Sequence, residues 1–196
     1  MKSILVLALA SCALFAANEY SGRRAPSFSL PDVNMRQHDI LDYRGKVLIV
    51  EFMQTKCDKC QALTKSIEGR VKPKFGDNVA ILSIVVPPDT FDDVKKYTNV
   101  FKVSSPILFD MGQVAGSYVK ASPQRPAMYF PHVFLIDQKG EIRADWQWTA
   151  PGLYPDVISG DRLITEIEKL LAEGKAAAPA TPAAPAKAAP KPAVKK

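Results

Sequence analysis

The sequence has few of the residues that bind structural metals or cross-link small secreted domains. Its 196 residues include three cysteines and two histidines. A structural zinc site needs four ligands, usually cysteine and histidine, and beside the one cysteine pair the remaining candidates are only His38 and His132. Three cysteines are also too few for a scaffold held by several disulfides. We therefore predict a domain held by a hydrophobic core, with no metal and no cofactor.

The sequence also lacks a hydrophobic run long enough to span a membrane permanently. Residues 1–17 contain one lysine, a short apolar run and then small residues, which is typical of a secretory signal peptide. Leu9-Ala10-Ser11-Cys12 resembles a bacterial lipobox, in which Cys12 becomes the lipidated first residue. Cleavage near Ala16 or Ala17 is the alternative. We predict export to the bacterial periplasm or cell envelope, with lipidated Cys12 as an N-terminal membrane tether.

Acidic and aromatic residues are almost absent from the C-terminal end. Residues 174–196 consist mainly of Ala, Pro and Lys, a composition that predicts a disordered, solvated tail. Its lysines account for most of the net charge of +6, so the folded part is close to neutral. The basic balance therefore gives no reason to expect a nucleic-acid partner.

The remaining residues, 25–173, are enough for one domain, which we expect to be monomeric. Buried strands alternate with amphipathic helices, and a late hairpin follows them, so the pattern predicts an α/β fold with a mixed sheet flanked by helices. An N-terminal β-hairpin precedes it. The specific predictions are strands at 47–52, 79–86 and 130–137, a helix at 57–72 ending before Pro73, a helix capped by Asp89 or Thr90, and a last helix capped by Asp161.

Cys57-Asp58-Lys59-Cys60 lies where the first buried strand passes into a helix. Residues three apart on a first helical turn are about 5–6 Å apart, within reach of a disulfide. The helix N-terminus favours the thiolate of Cys57, Lys56 and Lys59 should lower its pKa further, and Asp58 should oppose them. The spacing predicts reversible dithiol–disulfide chemistry, with Cys57 attacking and Cys60 resolving the mixed disulfide.

Glu51 is the one ionisable residue in the apolar strand before this motif. Burial would raise the pKa of its carboxyl group toward neutrality, which suits a general base. The alternative is that Glu51 points to an edge and is solvated.

Taken together, these features resemble the thioredoxin superfamily, specifically its TlpA-like and redoxin (AhpC/TSA-related) branch of exported thiol–disulfide oxidoreductases. The resemblance covers roughly Ala25 to Ala172 and implies a thioredoxin-like fold. Four segments carry it: Ala25-Pro26-Ser27-Phe28-Ser29-Leu30-Pro31-Asp32, Tyr43-Arg44-Gly45-Lys46, Glu51-Phe52 with the two-cysteine motif, and Pro131 with Phe134-Leu135-Ile136-Asp137 and Gly140.

The resemblance implies roles for particular residues and partners. Pro131 would be a cis-proline beside Cys57, next to a backbone edge that pairs with substrate; an ordinary trans proline at a strand start is the alternative. Glu51 would relay the proton of Cys60. Substrates would be protein thiols and disulfides, and a membrane electron donor would keep the protein acting as a reductase. Lys56 replaces the family's usual aromatic residue, and Phe130 replaces a small or β-branched one.

Two other functions share part of this pattern. A peroxiredoxin-like thiol peroxidase has the same opening, but it needs a Thr three residues before its reactive Cys and a Pro four before that. Here Thr55 lies two residues before Cys57, and the proline position is Val50. A Sco-like copper-binding module pairs two cysteines with a distant histidine, for which His132 is the candidate, although its motif has one more residue between the cysteines.

Overall fold

A mixed β-sheet forms the centre of the molecule. The computed structural model describes residues 20–124, 128–148 and 155–177. The strands in these ranges are β1 (Arg23–Arg24), β2 (Ser29–Pro31), β3 (Gln37–Asp39), β4 (Val47–Met53), β5 (Val79–Val85), β6 (Ile107–Phe109), β7 (His132–Ile136) and β8 (Glu141–Gln147). Six of them form one sheet in the order β1-β8-β7-β4-β5-β6, and β2 pairs with β3 in a separate hairpin. The predicted signal peptide with Cys12, and the tail beyond residue 177, lie outside the described residues.

The sheet combines a parallel half with an antiparallel half. β4 pairs parallel with β5 and antiparallel with β7, so β4 lies at the centre. Every residue of β4 and β5 is buried, as expected for strands covered on both faces. The predicted N-terminal hairpin is confirmed as β2–β3, whereas the pairing of β1 with β8 was not predicted. The predicted α/β mixed-sheet fold is confirmed.

Helices cover both faces of the sheet. They are α1 (Asp58–Ser66), α2 (Lys72–Phe75), α3 (Phe91–Phe101), α4 (Gln113–Tyr118), α5 (Pro155–Ile158) and α6 (Asp161–Ala177), with 3₁₀ turns at Ile40–Tyr43 and Gly76–Asn78. Alternate residues of β4 point to opposite faces. Leu48, Val50 and Phe52 pack on one face with α4 and the N-terminal segment. Val47 and Ile49 pack on the other with α1 and α6.

The helix after the two cysteines continues past Pro73, so the prediction that it ends there was wrong. A π-helical turn, Ile67–Val71, follows α1 and leads directly into α2. In this turn the Lys72 amide donates to the Ile67 carbonyl, five residues back. Pro73 then falls in the first turn of α2, where a missing amide is tolerated.

Two helix ends also differ from the predictions. Gly160, with φ of +86°, precedes α6 and its carbonyl accepts the Ile164 amide at 2.9 Å, so Asp161 is the first helical residue rather than the cap. α6 extends to Ala177, four residues beyond the predicted end of the domain at 173, because lysine and alanine continue a helix readily. Thr90, not Asp89, caps α3, in a capping box with Asp93.

None of the helices in the described ranges is both long and apolar enough to cross a membrane.

Candidate active site

Both cysteines of the motif lie at the N-terminus of α1. Cys57 is the N-cap residue, with extended backbone angles, and its sulfur accepts the Cys60 amide hydrogen at 3.3 Å. Cys57 is partly exposed and Cys60 is buried, and both thiols are free in the structure. The predicted placement of the two sulfurs is therefore confirmed: one faces solvent at the helix end and the other lies one turn inside.

The surroundings of Cys57 favour its thiolate form. The pKa of the Cys57 thiol is lowered to about 6, first by a hydrogen bond from the Cys60 thiol and then by the backbone amides of Cys60 and Lys59. Partial burial and the negative charge of Asp58 act in the opposite direction. At neutral pH a large fraction of Cys57 is therefore thiolate, the nucleophilic form of cysteine.

The two lysines predicted to lower this pKa point elsewhere. The Lys56 ammonium, 80% exposed, lies 3.5 Å from Asp93, and the Lys59 ammonium lies 4.8 Å above the ring of Trp148. Hydrogen bonds to the Cys57 sulfur, rather than these ammonium charges, are the leading causes of the lowered pKa. As predicted, the negative charge of Asp58 acts to raise the pKa of Cys57.

Cys60 and Glu51 are fully buried behind Cys57. The pKa of the Cys60 thiol is raised by its hydrogen bond to Cys57, by burial and by the charge of Glu51. The pKa of Glu51 is raised to about 8, mainly by burial, against a hydrogen bond that the Ser83 hydroxyl donates to Oε2 at 3.2 Å. Its Oε1 has no hydrogen-bond partner among the described residues. Of the two alternatives predicted for Glu51, a buried carboxyl group and a solvated one at an edge, the structure shows the buried one.

Strand alternation places Glu51 on the same face of the sheet as α1. It lies between Ile49 and Met53 on β4, whose side chains pack with residues of α1. Its carboxyl group is near enough to Cys60 for its charge to raise the thiol's pKa. A carboxyl group with a pKa near neutrality, beside a buried thiol, can accept or return a proton.

Phe130 and Pro131 lie beside Cys57, joined by a cis peptide bond. The Cys57 sulfur is 4.0 Å from the Phe130 carbonyl oxygen, and Pro131 itself is buried. The Pro131 carbonyl accepts the Trp148 amide at 3.1 Å. The structure thus brings Glu51, Phe130 and Pro131 to the two sulfurs, whereas the ammonium groups of Lys56 and Lys59 point away. Cys12, the predicted lipidation site, lies outside the described residues.

His132 follows Pro131 but faces away from the thiols. It pairs in register with Phe52 on β4, stacks on Phe134 at 4.3 Å, and its Nε2 lies 3.4 Å from Asp145. These contacts lie in the core on the other side of the sheet from Cys60. Nothing in this placement favours a copper site shared by His132 and the cysteines.

Asp89 holds the loop that precedes Cys57, and the sequence analysis missed this role. Its carboxylate accepts the Thr55 hydroxyl at 2.6 Å and the Thr55 amide at 2.7 Å. The Gln61 side chain then donates to the Thr55 carbonyl at 2.9 Å. The Thr55 hydroxyl donates its one hydrogen to Asp89, so it has no hydrogen left to donate to a peroxide. Asp89 and Thr55 are 34 residues apart, and no local pattern links them.

The sheet, the covering helices and the two sulfurs at the start of α1 define a protein of the thioredoxin superfamily. Comparison with known proteins confirms this assignment and the resemblance seen in the sequence. The profile of the AhpC/TSA family matches residues 21–145, and the chain belongs to that family.

Among its relatives is the thiol-disulfide oxidoreductase ResA of Geobacillus thermodenitrificans, 30% identical over 123 residues, which cover 62% of this chain and 66% of that protein. Another is the thioredoxin-like protein YneN of Bacillus subtilis, 23% identical over 124 residues, covering 62% and 68%. The matched segment thus spans about two thirds of each relative.

Solved structures share the fold. The thioredoxin domain of a thiol-disulfide oxidoreductase from Bacteroides vulgatus matches with a TM-score of 0.59 at 21% identity, covering 76% of this chain and 96% of that one. The exposed lipoprotein thioredoxin of Streptococcus pneumoniae matches with a TM-score of 0.56 at 21% identity, covering 74% and 100%.

Proposed function

We propose that the protein is a thiol–disulfide oxidoreductase that reduces disulfides in protein substrates through Cys57 and Cys60. The observation that carries the proposal is the arrangement of the two sulfurs: Cys57 is partly exposed with a lowered pKa, and Cys60 is buried behind it. Relatives that are named thiol-disulfide oxidoreductases support the same assignment.

The first step is attack on a substrate disulfide. The Cys57 thiolate forms a bond to one substrate sulfur, the substrate S–S bond breaks, and the second substrate sulfur leaves as a thiolate. The backbone beside Pro131, next to the Cys57 sulfur, offers an edge on which an extended substrate segment can lie.

The second step resolves the mixed disulfide. Cys60 loses its proton to the Glu51 carboxylate and attacks the Cys57 sulfur, releasing the substrate as a dithiol and leaving a Cys57–Cys60 disulfide. The hydrogen bond of Cys60 to Cys57 and its burial raise the pKa of its thiol, and Cys60 therefore stays protonated until this step. Glu51 returns the proton when the disulfide is reduced again.

Continued reduction requires a dithiol donor that reduces the Cys57–Cys60 disulfide. We assign this role to a membrane electron donor, because the signal-like residues 1–17 indicate export to the periplasm or cell envelope and Cys12 offers a lipid tether. The protein would act there as a monomer. This proposal rests on the sequence, since these residues lie outside the described ranges.

Trapping of the mixed disulfide tests the proposal. Cys60→Ser should accumulate mixed disulfides between Cys57 and protein substrates, whereas Cys57→Ser should form none, measured by non-reducing electrophoresis and mass spectrometry. The wild-type protein should accelerate reduction of insulin disulfides by a dithiol, and both variants should not. If the wild-type protein, with both thiols free, does not reduce insulin, the proposal is contradicted.

The direction of electron flow has a separate test. A Cys57–Cys60 reduction potential near that of thioredoxin, about −270 mV, supports a reductase. A reduction potential of about −120 mV would instead indicate that the protein oxidises its substrates.

A further inference from the structure

A cleft of about 340 Å³ opens between α1 and α3, next to the loop that precedes Cys57. Thr55 and Lys56 form the wall nearest the thiols, and Tyr97 and Phe101 of α3 lie opposite. The volume falls within the range of cavities that bind ligands in proteins, about 300–1,000 Å³. No step of the proposed thiol exchange uses this cleft.

Hydrogen bonds fix the walls of the cleft. Thr55 is held by Asp89 through its amide and its hydroxyl, and by Gln61 through its carbonyl. On the opposite side the Tyr97 hydroxyl lies 2.7 Å from the Thr64 hydroxyl of α1. Walls held from both sides need little rearrangement when a ligand enters, so the cleft is preformed.

Three residues of α3, Tyr97, Val100 and Phe101, give the cleft an apolar surface. The rings of Tyr97 and Phe101 lie 4.6 Å apart, and Val100 beside them is 62% exposed. An incoming large apolar side chain would cover Val100 and the outer ring of the pair, which removes apolar surface from water.

The rim of the cleft is positively charged. Lys56 and Lys96 line it, and Lys65 lies 5.5 Å above the ring of Phe101. Asp93 contributes one negative charge and pairs with Lys56 at 3.5 Å, but such an exposed ion pair is weak. Lys96 makes no ion pair with any residue in the described ranges. A carboxylate can therefore bind at this rim without breaking a strong interaction.

We propose that this cleft binds the substrate polypeptide beside its disulfide and selects segments that carry a carboxylate and a large apolar side chain near the attacked cysteine. The inference rests on the proposed function, because it concerns what Cys57 attacks. Lys56 directly precedes Cys57, so an extended chain whose cysteine meets Cys57 reaches the cleft within roughly two or three residues.

Matched peptides test the selection. One peptide is closed by a single disulfide and has Glu and Leu beside its first cysteine; a second has Lys in place of Glu, and a third has Gly in place of Leu. The wild-type protein should reduce the first peptide roughly tenfold faster than the second, and about fivefold faster than the third, measured as kcat/KM at low salt. High salt should reduce the first difference.

Two charge reversals on α3 locate the effect. Lys96→Glu should remove most of the preference for the acidic peptide. Lys95→Glu makes the same change in net charge on the same helix, but Lys95 does not line the cleft, so this variant should keep the preference. Neutral 2-hydroxyethyl disulfide, which carries neither a carboxylate nor a large apolar side chain, serves as the reference substrate for each variant. Lys95→Glu should leave its reduction unchanged, because Lys95 does not line the cleft.

The results separate the cleft from the chemistry. Equal rates for the peptides, with 2-hydroxyethyl disulfide still reduced, would overturn the proposed role of the cleft in substrate selection. The proposed oxidoreductase function would remain. An equal loss of preference in Lys95→Glu would also overturn it, since the effect would then come from overall charge. A protein that reduces none of these disulfides would overturn the proposed function as well.

Discussion

Glu51 and His132 are buried ionisable residues on neighbouring strands, and they face opposite sides of the sheet. Glu51 on β4 pairs in register with Val133, whereas His132 on β7 pairs with Phe52. Both side chains are fully buried, and each has one polar atom without a hydrogen-bond partner in the described residues, Oε1 of Glu51 and Nδ1 of His132.

Their surroundings differ in one decisive respect. Glu51 lies beneath α1, near Cys60, while His132 lies among Phe134, Tyr20 and Asp145. Burial alone therefore does not mark a catalytic acid or base in this molecule. What distinguishes Glu51 is that the Cys60 thiol lies on its side of the sheet, which supports its proposed role in proton transfer.

The largest expected effect concerns the pH dependence of stability at Glu51. Its pKa is about 8 in the folded protein against 4.5 when unperturbed. The folded state keeps a proton that the unfolded state loses, so the contribution of Glu51 to stability is present below about pH 4.5 and is lost as the pH rises through about 8. The loss is on the order of 5 kcal/mol in the free energy of unfolding.

Glu51→Gln removes this titration and provides the comparison. The difference in unfolding free energy between variant and wild type, measured by denaturant titration, should move in favour of the variant between pH 5 and 9. A difference that stays constant over this range would show that Glu51 ionises normally in the folded protein.

The next effect is on the rate of thiol exchange. Glu51→Gln should slow the resolution of the mixed disulfide by about a hundredfold at pH 8, because Cys60 loses its proton acceptor. In the wild type this rate should rise with pH to a plateau above about pH 8, as the carboxyl group ionises. Rapid-quench mass spectrometry of the mixed disulfide would measure both rates.

Ser83→Ala is the matched control for that experiment. The Ser83 hydroxyl donates a hydrogen bond to Glu51 and lowers its pKa, so removing the hydroxyl should shift the rise in rate to higher pH while keeping the plateau. A Glu51→Gln variant with the wild-type rate and pH profile would show that Glu51, like His132, is buried without a role in thiol exchange.

The smallest expected effect on turnover is at His132. His132→Gln keeps an amide donor near Asp145 but cannot titrate, and insulin reduction at pH 7 should stay within about twofold of wild type, because His132 faces away from the thiols. A large loss of turnover in a variant that keeps its stability would show that His132 takes part in thiol exchange, contrary to its position on the opposite face of the sheet.

Stability should show the opposite pH dependence at this residue. Burial lowers the pKa of His132 below 6.5, against the hydrogen bond and charge of Asp145. Its contribution is therefore present above about pH 6.5 and is lost as the pH falls through its lowered value. Denaturant titrations of wild type and His132→Gln at pH 5 and 7.5 should show the variant gaining relative stability at pH 5.

Features encoded by neighbouring residues could be predicted from the sequence. The apolar run from Val47 predicted β4, the two-residue spacing between Cys57 and Cys60 placed both at a helix start, and Glu51 stood out because it interrupts the apolar run. Each of these depends on contacts within one strand or one helical turn, where periodicity and capping carry the information.

Features that join distant segments could not be predicted in this way. The contact of Asp89 with Thr55 depends on how β5 and β4 align, and Lys59 meets Trp148 only because β8 ends near α1. The lysine charges were misjudged for the same reason, since their direction depends on partners far along the chain. Pro73 misled because its effect depends on whether it falls in a first turn or an interior one.

The π-helical turn at Ile67–Val71 sets the rotational phase of the segment that carries Cys60. Leu63, Ile67, Val71 and Phe75 are all buried and four residues apart. In a regular α-helix each such step would turn the side chain about 40° further around the axis, so Phe75 would drift about 120° from Leu63. The wider turn cancels part of that drift. Deleting one residue there would rotate the helix on one side of the turn relative to the other. Phe75 would then leave its buried position, or the end that carries Cys60 would rotate out of its present orientation.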